Sequence, residues 1–322
     1  MINLRYHVVS LIAVFLALTV GIVMGSTVID RVTVDALNRR VTAVSKSVRD
    51  VQSDNDKLRG QLSQVQDFAN QARDQIARDR LKGVPVMVVA VTGIDRKAVD
   101  GLRQALTASD ATLAGSLWFT AKMRLDNDAD ARALAGALGI SVDRPDVERR
   151  QALGQVASVL EGTTGTTGTA GTAGSNPLPA LVAAGFLVFE APPAPTASVP
   201  ASAPGVPGSL PSSGVRVVLV SGAGADVGDD QVAVPLAQDL AQSAGRLVAA
   251  ESGQDTPGGR GVFMGLLLND SAVWSRISTV DDLESSMGQA AAVLALDDLS
   301  VPRTGHYGVG AGVSRLLPPA TP

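Results

Sequence analysis

The 322-residue sequence predicts an α/β head with a mainly parallel sheet, carried on an N-terminal transmembrane helix and a long coiled coil. Three observations predict it. An apolar run without a charged side chain extends from Val8 to Ile29. An unbroken spacing of 3, 4, 3, 4 between apolar residues follows it. Beyond Gly83, short β-branched runs alternate with helical patterns.

Composition narrows the function classes. Hydrophobic residues make up 45% of the chain and aromatics 3%, so the core must be built from small and β-branched side chains. The net charge of −4 divides into +3 over residues 30–82 and −8 from Gly83 onward. A basic stalk without a recognisable nucleic-acid fold, below an acidic head, argues against nucleic acid as a partner. The absence of cysteine excludes disulfides, iron–sulfur clusters and thiolate metal sites.

Residues 1–29 read as a transmembrane signal anchor. As a helix, the run from Val8 to Ile29 would rise about 33 Å, enough to cross a bilayer core. Cleavage at Val23-Met24-Gly25 is the alternative, but the run is longer than an ordinary signal core. Arg5 favours a cytoplasmic N-terminus, whereas Arg31, Arg39 and Arg40 favour the reverse. Large downstream domains translocate despite such charges, so the head is expected outside the cytoplasm.

Residues 30–82 read as the coiled-coil stalk. Val34, Leu37, Val41, Val44, Val48, Val51, Asn55, Leu58, Leu62, Val65, Ala69, Ala72, Ile76 and Asp79 occupy successive a and d positions. β-Branched residues at a favour two parallel strands, which predicts a homodimer. Asn55, at an a position, can pair only with its mate in the aligned register. Register is therefore assigned to Asn55 and its neighbours Val48, Val51, Leu58 and Leu62. Asp54 at g and Arg59 at the following e have the separation of an interchain ion pair, and Gly60 falls on the outer f face. A helix lying on its own head or on another protein is the alternative. Gly83 and Pro85 end the helix.

Residues 83–161 form the first predicted α/β unit. Strands are expected at Val84–Val91 and Ala111–Phe119, and helices at Arg96–Leu106, Asp128–Leu138 and Asp146–Leu160. A Gly/Thr/Ala-rich flexible loop (162–176), an apolar helix and strand (177–190) and a Pro/Ala-rich linker (191–213) follow. Residues 214–322 form the second unit. Here strands are expected from Val215, at Arg246–Ala250, Arg276–Val280 and Ala291–Leu296. Helices are expected at Leu236–Leu240, Gly261–Leu268 and Asp281–Met287. Val215–Asp226 can be laid beside Val84–Asp95, which suggests an internal β-α-β repeat.

The chemistry is sparse, and no catalytic residue or bound cofactor is predicted. Gly222-Ala-Gly224-Ala-Asp-Val-Gly228 has the loose spacing of a nucleotide loop, with Glu251 ending the next strand where a ribose-binding acid could sit. The plainer reading is a glycine turn in which Asp226 or Asp229 caps the following helix. The pairs Asp229/Asp230, Asp281/Asp282 and Asp297/Asp298 read as caps and solvated surface. Arg303, His306 and Tyr307 sit in a Gly-rich stretch that could be a binding loop, with His306 a weak metal candidate. The plainer reading is a turn whose imidazole donates to backbone carbonyls.

Asn3-Leu-Arg-Tyr-His-Val-Val-Ser-Leu-Ile-Ala-Val-Phe-Leu-Ala-Leu-Thr-Val-Gly-Ile-Val-Met-Gly-Ser26 closely resembles the opening of the MctB family of actinobacterial envelope proteins. Ser278-Thr-Val-Asp-Asp282, Gly305-His-Tyr-Gly308 and Leu316-Leu-Pro318 are similar to that family's C-terminal pattern. The resemblance implies a role in copper efflux or homeostasis across the envelope, including its outer membrane. Septal relatives imply an alternative, a coiled-coil scaffold that regulates peptidoglycan splitting at division with an envelope or division partner. A nucleotide-binding enzyme is the weaker alternative. Copper would be a transported ion: with no cysteine, one histidine in the head and Met87, Met123, Met264 and Met287 scattered singly, no tight copper site is expected. Short apolar strands and few aromatics also fit a membrane β-barrel poorly.

Overall fold

The structure, a computed structural model, describes residues 4–141, 144–162, 176–192, 210–211, 213–243, 245–253, 261–301 and 303–319. The Gly/Thr/Ala loop and the Pro/Ala linker lie almost wholly outside the described residues. The chain divides into two compact units, Met1–Gln66 and Asp67–Pro322.

One helix, α1 (Leu4–Ala77), supplies all the described residues of the first unit and ends at the start of the second. Its Leu4–Gly25 segment, 22 residues with a mean hydropathy of 2.6, is long and apolar enough to cross a membrane. The helix stops at Ala77, and Asp79 takes a left-handed φ of 61°. The last predicted seam position, Asp79 at d, therefore lies beyond the helix. Gly83, also left-handed, turns the chain into the first strand.

The second unit is built on one open sheet. Its strands are β1 (Pro85–Val91), β2 (Thr112–Phe119), β3 (Leu187–Glu190), β4 (Arg216–Gly222), β5 (Leu247–Ser252), β6 (Ser278–Val280) and β7 (His306–Tyr307). They lie in the order β3-β2-β1-β4-β5-β6-β7. All pairs are parallel except β2 with β3. The helices are α2 (Arg96–Ala108), α3 (Asp128–Leu138), α4 (Pro145–Leu160), α5 (Leu178–Ala183), α6 (Ala233–Leu240), α7 (Val262–Asn269), α8 (Ser271–Trp274) and α9 (Ser286–Asp298).

Strands β1, β4 and β5 are buried along nearly their full length, because helices cover both sheet faces. Alternation divides their side chains between two cores. Met87, Val89 and Val91 join Leu153, Val156 and Leu236 on one face. Val86, Val88 and Ala90 join Leu102, Leu106 and Leu296 on the other. Since α2 and α6 belong to opposite faces, the direction of winding reverses between β1 and β4, which are paired from Val86–Arg216 to Ala90–Val220.

Two expectations in the second half are corrected. Asp281–Ser285 is not helical, and the predicted strand at Ala291–Leu296 is the middle of α9. Ser285 caps this helix by accepting from the Gly288 N–H, fixing its start after the acidic pair. Ala290–Ala292, Val293, Ala295 and Leu296 are all buried, so no polar face reveals a period of 3.6.

Candidate functional site

Three regions carry the residues singled out above: the α1 seam, the carboxyl edge of the sheet and the C-terminal turn. On α1, Val34, Leu37, Val41, Val44, Val48, Val51, Leu58, Leu62 and Val65 are all exposed, between 49 and 63%. Asn55 is exposed in the same row. Nine large apolar side chains on one helical stripe make a surface that water solvates poorly. Asp54 lies 3.5 Å from Lys57 of its own helix.

Inside the second unit, the foot of α1 packs through other positions. Arg73 is buried; its guanidinium donates to Gln289 Oε1 (2.6 Å) on α9 and lies 2.8 Å from Asp74. Ser286 donates to the Asn70 amide oxygen, and Ala77 is buried. Continuing the heptad count, Asn70 and Ala77 are b, Arg73 is e and Asp74 is f. Ala69, Ala72 and Ile76, at a and d, remain partly or largely exposed. Gln289 is buried as well and donates to the Leu283 carbonyl at 3.2 Å. It fits because residue 101 on α2 is glycine: a Cβ there would collide with the Gln289 amide.

The carboxyl ends of β1 and β4 form the place where open α/β sheets ordinarily take ligands. Here the two loops close on each other. Asp226 N–H donates to the Thr92 carbonyl at 2.6 Å, and a Cβ on Gly93 would strike the Gly224 carbonyl. The glycine spacing thus serves backbone-to-backbone contact. Nor does a helix N-terminus follow directly, since β4 ends at Gly222 and α6 starts at Ala233 with no side-chain cap. The expected cap by Asp226 or Asp229 is corrected.

Asp229 is instead buried and accepts from the Ser221 hydroxyl, while burial raises its pKa. Glu251, fully buried at the end of β5, accepts from the Met264 N–H at 3.2 Å. Burial pushes its carboxyl up to about 7.

The acidic pairs are likewise more than caps and surface. Asp281 accepts from the Val309 and Gly310 N–H groups at 2.9 and 2.8 Å, tying the C-terminal turn to the end of β6. Asp298 is buried with Arg303 at 3.5 Å. His306 stacks on Trp274 with ring centroids 3.7 Å apart, and its Nδ1 lies 3.0 Å from the Thr279 hydroxyl. Burial lowers its pKa to about 4, leaving a neutral imidazole at neutral pH. The expected imidazole-to-carbonyl bond is replaced by these contacts. Tyr307 is buried, with its hydroxyl against Gly305, so Arg303, His306 and Tyr307 do not share one exposed surface.

A sequence model of the family described as copper transport outer membrane protein, MctB, matches residues 1–318. The chain belongs to the MctB family. Relatives named copper transporter MctB from Mycobacterium tuberculosis (strain H37Rv) and Mycobacterium bovis are each 26% identical over 97% of this chain and 98% of their own. The Mycobacterium leprae protein of that name is 25% identical over 99% of this chain and 100% of its own.

The MctB-like C-terminal motifs meet in space. Ser278 accepts from the Gly305 N–H, Thr279 meets His306, and Asp281 holds the backbone after Gly308. In this MctB chain Met87, Met123 and Met264 are buried, and Met287 is 43% exposed. Among the described residues, no three His, Cys, Asp or Glu side chains converge as a metal cluster. Sequence reasoning missed Arg73, Gln289 and Ser221, and read Asp229 as a helix cap. Only Glu251 carried a signal, as a carboxylate closing an apolar strand.

Proposed function

We propose that this chain is a single-pass, membrane-anchored envelope protein of copper efflux and homeostasis. Its head lies outside the cytoplasm, and it works as a parallel homodimer joined through Val34–Val65. The observation that carries this reading is the MctB match across residues 1–318, with relatives named for copper transport. Copper is cargo here, and weak, transient contacts serve transit better than a closed ligand cage. No catalytic step belongs to the reading. The exposed seam supports the dimer, since pairing would remove its apolar stripe from water.

That same seam favours a second reading, a scaffold for the machinery that splits septal peptidoglycan. One strain set separates the two. Cells lacking the chain are complemented with the native protein or with Leu58→Glu/Leu62→Glu, which places charge in the seam. Copper tolerance, cell-associated copper and daughter-cell separation are then measured. The copper reading expects lower tolerance and more retained copper without the chain; unchanged copper handling together with failed separation replaces it by the scaffold.

A further inference from the structure

The carboxyl end of β5 holds a buried acid that neither reading uses. One Glu251 oxygen accepts from Met264 in the first turn of α7, and the other, Oε2, has no hydrogen-bond partner. Gly261, the N-cap of α7, lies so close that a Cβ would collide with the carboxylate. Across the site stands Asp229, itself buried and engaged by Ser221 of β4. Two carboxylates thus share one dry region at the end of the sheet.

The backbone N–H groups of Met264, Phe263 and Gly261 favour a charge on Glu251, but its removal from water outweighs them, and side chains add little. Among the described residues, α7 carries no ionisable side chain. The α6 carboxylate, Asp239, is associated with Arg150 of α4. Beside β5, Asp281 is committed to Val309 and Gly310, and Glu284 accepts from Gly253. An ionised Glu251 would therefore sit unhydrated, with one bare oxygen and a second anion nearby.

We infer that Glu251 is a proton-operated latch on α7: protonated, it lets the first turn close over β5, and ionised, it drives that turn from the sheet. The sign follows from linkage. The closed site binds its proton up to about pH 7, whereas an opened, hydrated carboxyl releases it near 4.5. Closure is therefore strongest at low pH, weakens as pH rises between those values, and levels off above 7.

Hydrogen exchange of the full chain in lipid nanodiscs, from pH 5 to 8 and corrected for intrinsic rates, tests this. Protection of the Phe263–Leu267 amides should fall about fortyfold between pH 5 and 7 and then level. Glu251→Gln should stay protected with a flat profile. Asp229→Asn, which removes the facing charge, should level at a lower pH. A flat native profile, or a Glu251→Gln variant that follows the native slope, overturns the latch. Should Glu251→Gln lose its fold by circular dichroism, Asp229→Asn decides alone: an unmoved levelling point overturns it.

Discussion

Gly101 shows how much one missing methyl group can organise. Its bare Cα admits Gln289, which joins the foot of α1 to the turn after β6 through Arg73 and the Leu283 carbonyl. Gly101→Ala should displace that amide and strip a buried guanidinium of a partner. We expect a loss of about 1–3 kcal/mol, read as a lower urea midpoint with an unchanged slope. His306 makes a prediction in acid. Its folded pKa of about 4 lies below the ordinary 6.5, so the folded state takes up its proton later than the unfolded chain. Stability from this group is present above pH 6.5 and is lost as pH falls toward 4. The share is on the order of 2 kcal/mol, allowing for partial exposure. His306→Phe keeps an aromatic ring on Trp274 and should flatten that part of a pH–melting curve; an equal loss in both proteins would refute the assignment.

At the scale of elements, legibility followed local chemistry. Helix α3 was readable to its ends because Asn127 supplies a cap accepting from Asp130 and Gly139 takes the left-handed closing position. The buried strands β1 and β4 were readable from their β-branched runs. Helix α9 was not, because burial on nearly all sides removed its polar face. The candidate site was less legible still. Asp229 and Asp281 stand in adjacent acidic pairs whose ordinary meaning is a cap, and only tertiary structure shows Asp229 turning to Ser221 and Asp281 to a distant turn. The glycine spacing left a phosphate cradle open beside the plainer reading of a turn, and only tertiary structure brings Gly93 against the Gly224 carbonyl. On α1 the periodicity marks an apolar row of Val and Leu, and the helix carries that row exposed.

For the whole molecule, the useful asymmetry is between a helix that exposes apolar side chains and a head that buries them. The absence of cysteine makes the proposed sidedness directly measurable. Asp100, exposed on α2, can be replaced as Asp100→Cys to give a single thiol. A membrane-impermeant maleimide should label that variant in intact cells, once outer-envelope access is provided by a matched control; labelling only after lysis of the inner membrane would place the head in the cytoplasm. Membership of the MctB family sets the copper question. The structure adds that three of the four head methionines, Met87, Met123 and Met264, are enclosed in its core.

The meeting of Gly93 with Gly224 has a mechanical consequence. It rivets the two halves of the sheet main chain to main chain, leaving no slack at the seam where related topologies part to admit a guest. A side chain at either position would act as a wedge. Any guest entering at this edge of the sheet would first have to prise that contact apart.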